Sequence, residues 1–299
     1  MKPVGYVYLL IACLFDSLKS CLSKGVSRYS RGLPAALFLN LCRCVLCALT
    51  GVAACLLLEG GFPLFTGASL GIASFAGVMV GAFMVTWLLG LRTGAFMMMT
   101  VISAASCMVP TLLSALFLGE PLRLTHLAGI ALLIGASWLM CSYSGEVTGS
   151  LTPKALLFAG LAFATNGLST FAQKLYVTKI PDPVPLAYNT WSFLAAVPAL
   201  GLAFLLLCPR REQKKEGLAA LGKTAPSIGV MAVSMYLVYA LNTLASSALP
   251  AGLLYPMASG LVLLLNQCYS AFVLREKPNG KCLAGIGLAI GAMVVLNLG

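Results

Sequence analysis

The sequence predicts an all-α integral membrane protein of ten transmembrane helices, arranged as a 5+5 inverted-topology repeat. Three observations predict it. The 299 residues are 60% hydrophobic and 9% charged, with a mean hydropathy of +0.97, whereas a soluble domain carries about 25% charged residues. Apolar runs recur along the whole chain, each of roughly 18 residues or more and so long enough to cross a bilayer as a helix. A block near the end of each half is also duplicated. Leu127-Ala128-Gly129-Ile130-Ala131-Leu132-Leu133-Ile134-Gly135-Ala136 and Leu283-Ala284-Gly285-Ile286-Gly287-Leu288-Ala289-Ile290-Gly291-Ala292 agree at eight of ten positions, at an offset of 156. Glu120 and Glu276 stand at the same distance upstream of their blocks. Five spans per repeat is an odd number, so the two halves insert in opposite directions. The first repeat covers 1–146, a linker 147–154, and the second repeat 155–299.

The spans are expected at 4–22, 34–58, 70–90, 94–118, 124–143, 155–174, 184–207, 226–244, 251–274 and 281–298. Span 1 carries Asp16 and Lys19, three apart on one helical face and able to pair. They interrupt the apolar run, and no small-residue cleavage site follows, so it reads as a span rather than a signal peptide. Lys24 closes it and can snorkel to the interface. Span 2 carries Asn40 and Arg43. A charge at that depth faces protein or a water-filled cavity. Arg43 either pairs with Asp16, locking spans 1 and 2, or contacts a substrate; the two roles are compatible. Span 3 ends near Trp87. In span 4, Met97-Met98-Met99 reads as flexible packing, and Pro110 leaves the carbonyl of Ser106 without its helical donor. Span 5 has Gly129, Gly135 and Ala136 at spacings that permit close helix contact, a packing or dimer helix.

After the linker the plan restarts. Asn166 and Lys174 in span 6 lie 150 residues after Asp16 and Lys24. Asn189 and Ser192 in span 7 lie 149 residues after Asn40 and Arg43. Asp16 and Arg43 of the first half thus become Asn166 and Ser192 in the second, while the lysine is kept. The basic run 210–223 reads as a solvated loop. Span 8 carries Tyr236, Tyr239 and Asn242. Span 9 carries Tyr255, Pro256, Ser259, Asn266 and Gln267, and Pro256 frees the carbonyl of Gly252 as a coordinating group.

The net charge of +11 is dispersed over loops, where basic residues set topology, so nucleic acid is excluded as a partner. Thirteen of the Lys and Arg fall in loops 1, 3, 5, 7 and 9 and four on the other face, which by the positive-inside rule puts both termini outside. The eleven cysteines lie mostly inside helices and read as small apolar filler, with no disulfide. No metal site and no cofactor are expected, because ligands must converge and His126 is the one histidine.

The duplicated Gly119-Glu120 and Arg275-Glu276 turns, each followed by a Gly-rich last helix, resemble the drug/metabolite transporter superfamily, EamA type. The likeness covers essentially the whole chain and extends to Lys24 and Lys174 and to Arg43 in span 2. The segment from Tyr255-Pro256-Met257-Ala258-Ser259-Gly260 to Glu276 also resembles the third and fourth helices of small multidrug resistance proteins. The resemblance implies a ten-helix carrier with a central cavity between the halves. Such a carrier sits in the cytoplasmic membrane and moves small metabolites, amino acids or drugs as a proton-coupled exporter or an exchanger. Family members have cytosolic termini, opposite to the loop charges here.

The expected function is therefore secondary transport of a small molecule, by a monomer or homodimer in the lipid bilayer. Candidate substrate-binding or coupling residues are Asp16, Lys19, Asn40, Arg43, Asn166, Asn189, Tyr239 and Tyr255. If Asp16 pairs with one base, the other is left for an anion such as an amino acid or other organic acid. If Asp16 is free, it binds a proton or a cationic drug. An enzyme is not expected: ATP drive lacks a Walker A motif, and a Ser–His or metalloprotease site lacks a membrane histidine. A non-transporting membrane protein is the remote alternative.

Overall fold

The computed structural model describes residues 3–30, 32–93, 99, 103–141, 153–272 and 280–297. Among these the regular structure is entirely helical, without a strand. The helices, in chain order, are α1 (Pro3–Ser27), α2 (Leu33–Leu58), α3 (Gly67–Thr93), α4 (Met108–Leu118), α5 (Leu124–Cys141), α6 (Pro153–Lys179), α7 (Pro185–Leu207), α8 (Arg211–Ala248), α9 (Ala251–Phe272) and α10 (Gly280–Asn297). Among the described residues seven helices are long and apolar enough to cross a membrane, and three shorter apolar ones accompany them. Large leucines turn outward along them, among them Leu49, Leu57, Leu124 and Leu205. A side chain that is apolar and exposed at this density suits lipid rather than water. The chain is an all-α, multi-pass membrane protein.

The packing follows a pattern. α1 lies against α8 and α9, and α6 lies against α3 and α4. α2 packs on α8 as α7 packs on α3, while the pairs α2–α7, α4–α9 and α5–α10 meet directly. Exchanging the first five helices for the last five leaves this list unchanged. The main core joins α2, α3, α7 and α8 through residues such as Leu39, Met84, Phe193 and Met235. Two contacts require glycine. A Cβ on Gly77 would run into the carbonyl oxygen of Ser192, and one on Gly129 would stand 2.5 Å from the side chain of Leu296. The first lets α3 touch the backbone of α7, the second seats α5 on α10.

Several boundaries differ from those expected. The basic run 210–223 is not a loop but the first part of α8, 38 residues long. Its residues Glu212, Gln213, Lys214, Lys215, Leu218, Ala219 and Ala220 are strong helix formers, and the Arg210 N–H donates to Gln213 Oε1 at 3.1 Å. Charge marked this stretch as solvated, but one face of it is buried: a Cβ on Gly217 would meet the ring of Phe38 at the start of α2. Lys223 points toward the ring of Tyr29, with Nζ 6.0 Å from its centroid. α6 begins at Pro153, two residues before the expected start of the second repeat; proline suits the first turn of a helix, where its missing N–H is not needed. Residues 147–152 of that linker, Met97, Met98 and Glu276 lie outside the described residues. Met99 is buried beside Gly90.

Span 4 is broken where Pro110 predicts. The Ser106 carbonyl, deprived of its donor, accepts from Val109 N at 3.1 Å, and the amides of Ser106 and Cys107 bond three residues back at 3.2 Å. The tightened turn at 106–107 separates a short helical segment from α4. His126 lies in the first turn of α5 rather than in a connecting turn, buried against Gly252.

Candidate functional site

The break in span 4 opens onto a central cavity. Its free volume, as swept by the centre of a water-sized sphere, is about 120 Å³. α1, α2, α3, α4, α6, α8 and α9 all line it, so both halves of the chain contribute. Aromatic walls come from Phe83, Trp87, Tyr239 and Tyr255. Six of the eight residues singled out in the sequence line the cavity: Asp16, Lys19, Arg43, Asn166, Tyr239 and Tyr255.

The charges are arranged unevenly. Asp16 is paired with Lys19, one helical turn away on α1. Of the two pairings open to Asp16 in the sequence, with Lys19 or with Arg43, the one formed is with Lys19, which shares its helix face. Arg43 is 4% exposed. Its Nη2 donates to the thioether of Met235 at 2.6 Å, and its Nε has no hydrogen-bond partner. A thioether is a weak acceptor, so a buried guanidinium stands in the cavity wall with its hydrogen-bonding capacity largely unmet. Such a group is costly unless something pairs with it. Gln173 Oε1 and Asn242 Oδ1, on residues that also line the cavity, are buried without a partner.

The remaining polar groups fix the walls. Asn166 Nδ2 donates to Ser106 Oγ at 2.7 Å, tying α6 to the break before α4. Ser17 Oγ donates to Asn266 Oδ1 at 2.8 Å, tying α1 to α9. The Tyr255 hydroxyl donates to the carbonyl of Thr170 at 2.9 Å, tying α9 to α6.

Asn40 and Asn189 are not at the cavity. Asn40 Nδ2 donates to the carbonyls of Ala36, at 2.9 Å, and Met84, at 3.1 Å. Asn189 Nδ2 donates to the carbonyl of Pro185, at 2.7 Å, and to Thr243 Oγ1, at 2.9 Å. Each bonds four residues back on its own helix and across to the next, α2 to α3 and α7 to α8. Both amide donors of each are thus used within the protein. Trp191 and Tyr236 also lie away from the cavity. Trp191 Nε1 donates to the carbonyl of Pro63 at 3.0 Å, and the Tyr236 hydroxyl donates to that of Leu186 at 3.2 Å. Lys174 pairs with Glu120 at 2.7 Å, and Lys24 is half-buried near the end of α1. Among the cavity residues missed in the sequence, Thr170 and Gln173 had a visible signal. They follow Asn166 at helical spacing, so the three share one face.

No protein-family model and no curated protein matches the sequence. Solved structures do match. One, described only as "Crystal structure of protein", superposes with a TM-score of 0.70 at 16% identity, over 100% of this chain and 98% of its own. At that identity the likeness is one of fold, and it extends from end to end.

Proposed function

We propose that this chain is a secondary active carrier of the EamA-type drug/metabolite transporter class, with two five-helix halves of opposite insertion in the cytoplasmic membrane. It moves a small carboxylate, an amino acid or other organic acid, as a proton-coupled exporter or an exchanger. The halves are supported by the packing that survives their exchange and by the equivalent bonding of Asn40 and Asn189. A site between such halves is where secondary transporters bind substrate.

One observation carries the choice of substrate: Asp16 is taken by Lys19, while Arg43, in the wall of the same cavity, forms no ion pair among the described residues. A guanidinium is suited to planar, two-point recognition of a carboxylate. The rival reading, a cation or multidrug exporter working from Asp16, requires Lys19 to leave that carboxylate first. Thermal stability of the purified protein against a panel of carboxylates and organic cations separates the two. A ligand present at 100 times its dissociation constant raises stability by about 2.7 kcal/mol. Carboxylates are expected to stabilise the wild type and the Asp16→Asn variant but not Arg43→Ala. Stabilisation by cations that disappears in Asp16→Asn would establish the rival instead. Substrate-stimulated counterflow in liposomes distinguishes either carrier from a non-transporting membrane protein.

A further inference from the structure

The cavity stops abruptly at one end. On α6 its lining runs through Asn166, Thr170 and Gln173, and the next residue, Lys174, is no longer part of it. On α9 the lining begins at Tyr255, four residues into the helix, and continues to Asn266, a rise of about 16 Å away from the helix start. Immediately beyond this end lies a dense polar cluster. Lys174 Nζ is 2.7 Å from Glu120 Oε1 and donates to the carbonyls of Ser246, at 2.9 Å, and Leu249, at 3.0 Å. Glu120 Oε2 accepts from the backbone N–H of Ala251 at 2.7 Å. Four chain segments meet there: the turn after α4, the last third of α6, the end of α8 and the first residue of α9.

All three Lys174 donors are used, two of them on carbonyls at the fraying end of α8, and Glu120 takes the first amide of α9, which has no intrahelical partner. The cluster therefore joins the first half of the chain, through Glu120, to the junction of α8 and α9 in the second. Among the described residues it is the ion pair that does so, since Asp16 and Lys19 share one helix. Tyr255, whose hydroxyl holds the carbonyl of Thr170, forms the floor between cavity and cluster.

We infer that Glu120, Lys174 and the α8–α9 junction form a gate that closes the central cavity at this end. The inference rests on the carrier reading, in which the cavity must be sealed from one side while it is accessible from the other. Opening separates Glu120 from Lys174 and frees the Ala251 amide, letting α4 move away from the start of α9. Substrate leaves past Tyr255, between α6 and α9. Glu120 and Lys174 are positioning residues here and do not touch the substrate.

Hydrogen exchange of the purified, substrate-free protein tests this, with Glu120→Gln and Lys174→Gln compared with the wild type. Breaking a gate shifts the population toward the state open at this end, and by alternation closed at the other. Exchange over 244–254 and 166–176 is therefore expected to quicken by about tenfold or more, while exchange over 17–26 and 262–269 at the opposite end slows by about threefold or more. Lys174→Arg, which keeps the charge and the donors to the Ser246 and Leu249 carbonyls, is expected to keep the wild-type pattern. A structural ion pair loosens its own surroundings and leaves the far end untouched, so near-end quickening alone overturns the gate, as does no change at either end. If one single variant does not fold, the other carries the same test. No substrate enters the measurement. Failure of carboxylate binding would thus sink the substrate reading without bearing on the gate, and the converse holds.

Discussion

Arg43 and the two asparagines show how polar residues within an apolar run can carry opposite meanings. Arg43 is buried with a thioether as its acceptor, whereas Asn40 and Asn189 spend their amide donors on carbonyl and hydroxyl oxygens. A charge that is buried and poorly paired lowers stability, and replacing it with an apolar residue of similar volume is often neutral or stabilising by about 1–4 kcal/mol. Arg43→Met is therefore expected to raise the thermal midpoint of the ligand-free protein, or leave it unchanged, while abolishing the shift produced by carboxylates. A lower midpoint would make Arg43 a structural residue. Asn40 and Arg43 were indistinguishable in the sequence, being polar residues three apart in an apolar run. Only their partners separate them, and those partners, Met84 and Met235, come from other helices.

At the level of elements, glycine decides which helices touch. Gly77 faces a backbone carbonyl of α7, which has no rotamer to change, whereas Gly90 faces the flexible end of Met99. Overpacking a site of the first kind typically costs about 1–3 kcal/mol. Gly77→Ala is expected to destabilise by that amount in thermal unfolding, and Gly90→Ala by clearly less, because methionine repacks. Equal losses would contradict the close α3–α7 approach. The small residues of span 5 were legible as a contact surface, and Gly129 is one, against Leu296 of α10. The basic stretch before Pro226 was not legible. Its charge pattern resembles a loop, and the buried side of Gly217 and Ala220 that makes it a helix facing Phe38 is visible only with α2 in place.

For the whole molecule, the remaining question of arrangement is which face meets the cytosol. α8 spans about 57 Å at 1.5 Å per residue, nearly twice a hydrocarbon core of about 30 Å. Its basic end therefore reaches water on the side of Tyr29. Lys174, bound to Glu120, is a buried partner rather than a loop charge, which sharpens the contrast between the two faces. By the positive-inside rule we expect Tyr29 and Arg210 in the cytosol and both termini outside. A C-terminal alkaline phosphatase fusion is expected to be active and the corresponding fluorescent-protein fusion dark; the reverse pair of results would establish the orientation found in the resembling family.

The sequence by itself determined that this protein is helical and that it crosses a membrane many times, and it repeats the block 127–136 at 283–292. Hydropathy and repetition are properties of the chain read in one dimension, and lipid enforces them because every backbone polar group must be satisfied within a helix. Tertiary structure alone decided which polar residues face the cavity, that Asp16 takes Lys19 and leaves Arg43, and that Glu120 meets Lys174. Those outcomes depend on the rotation of each helix about its axis and on distances between residues far apart in the chain.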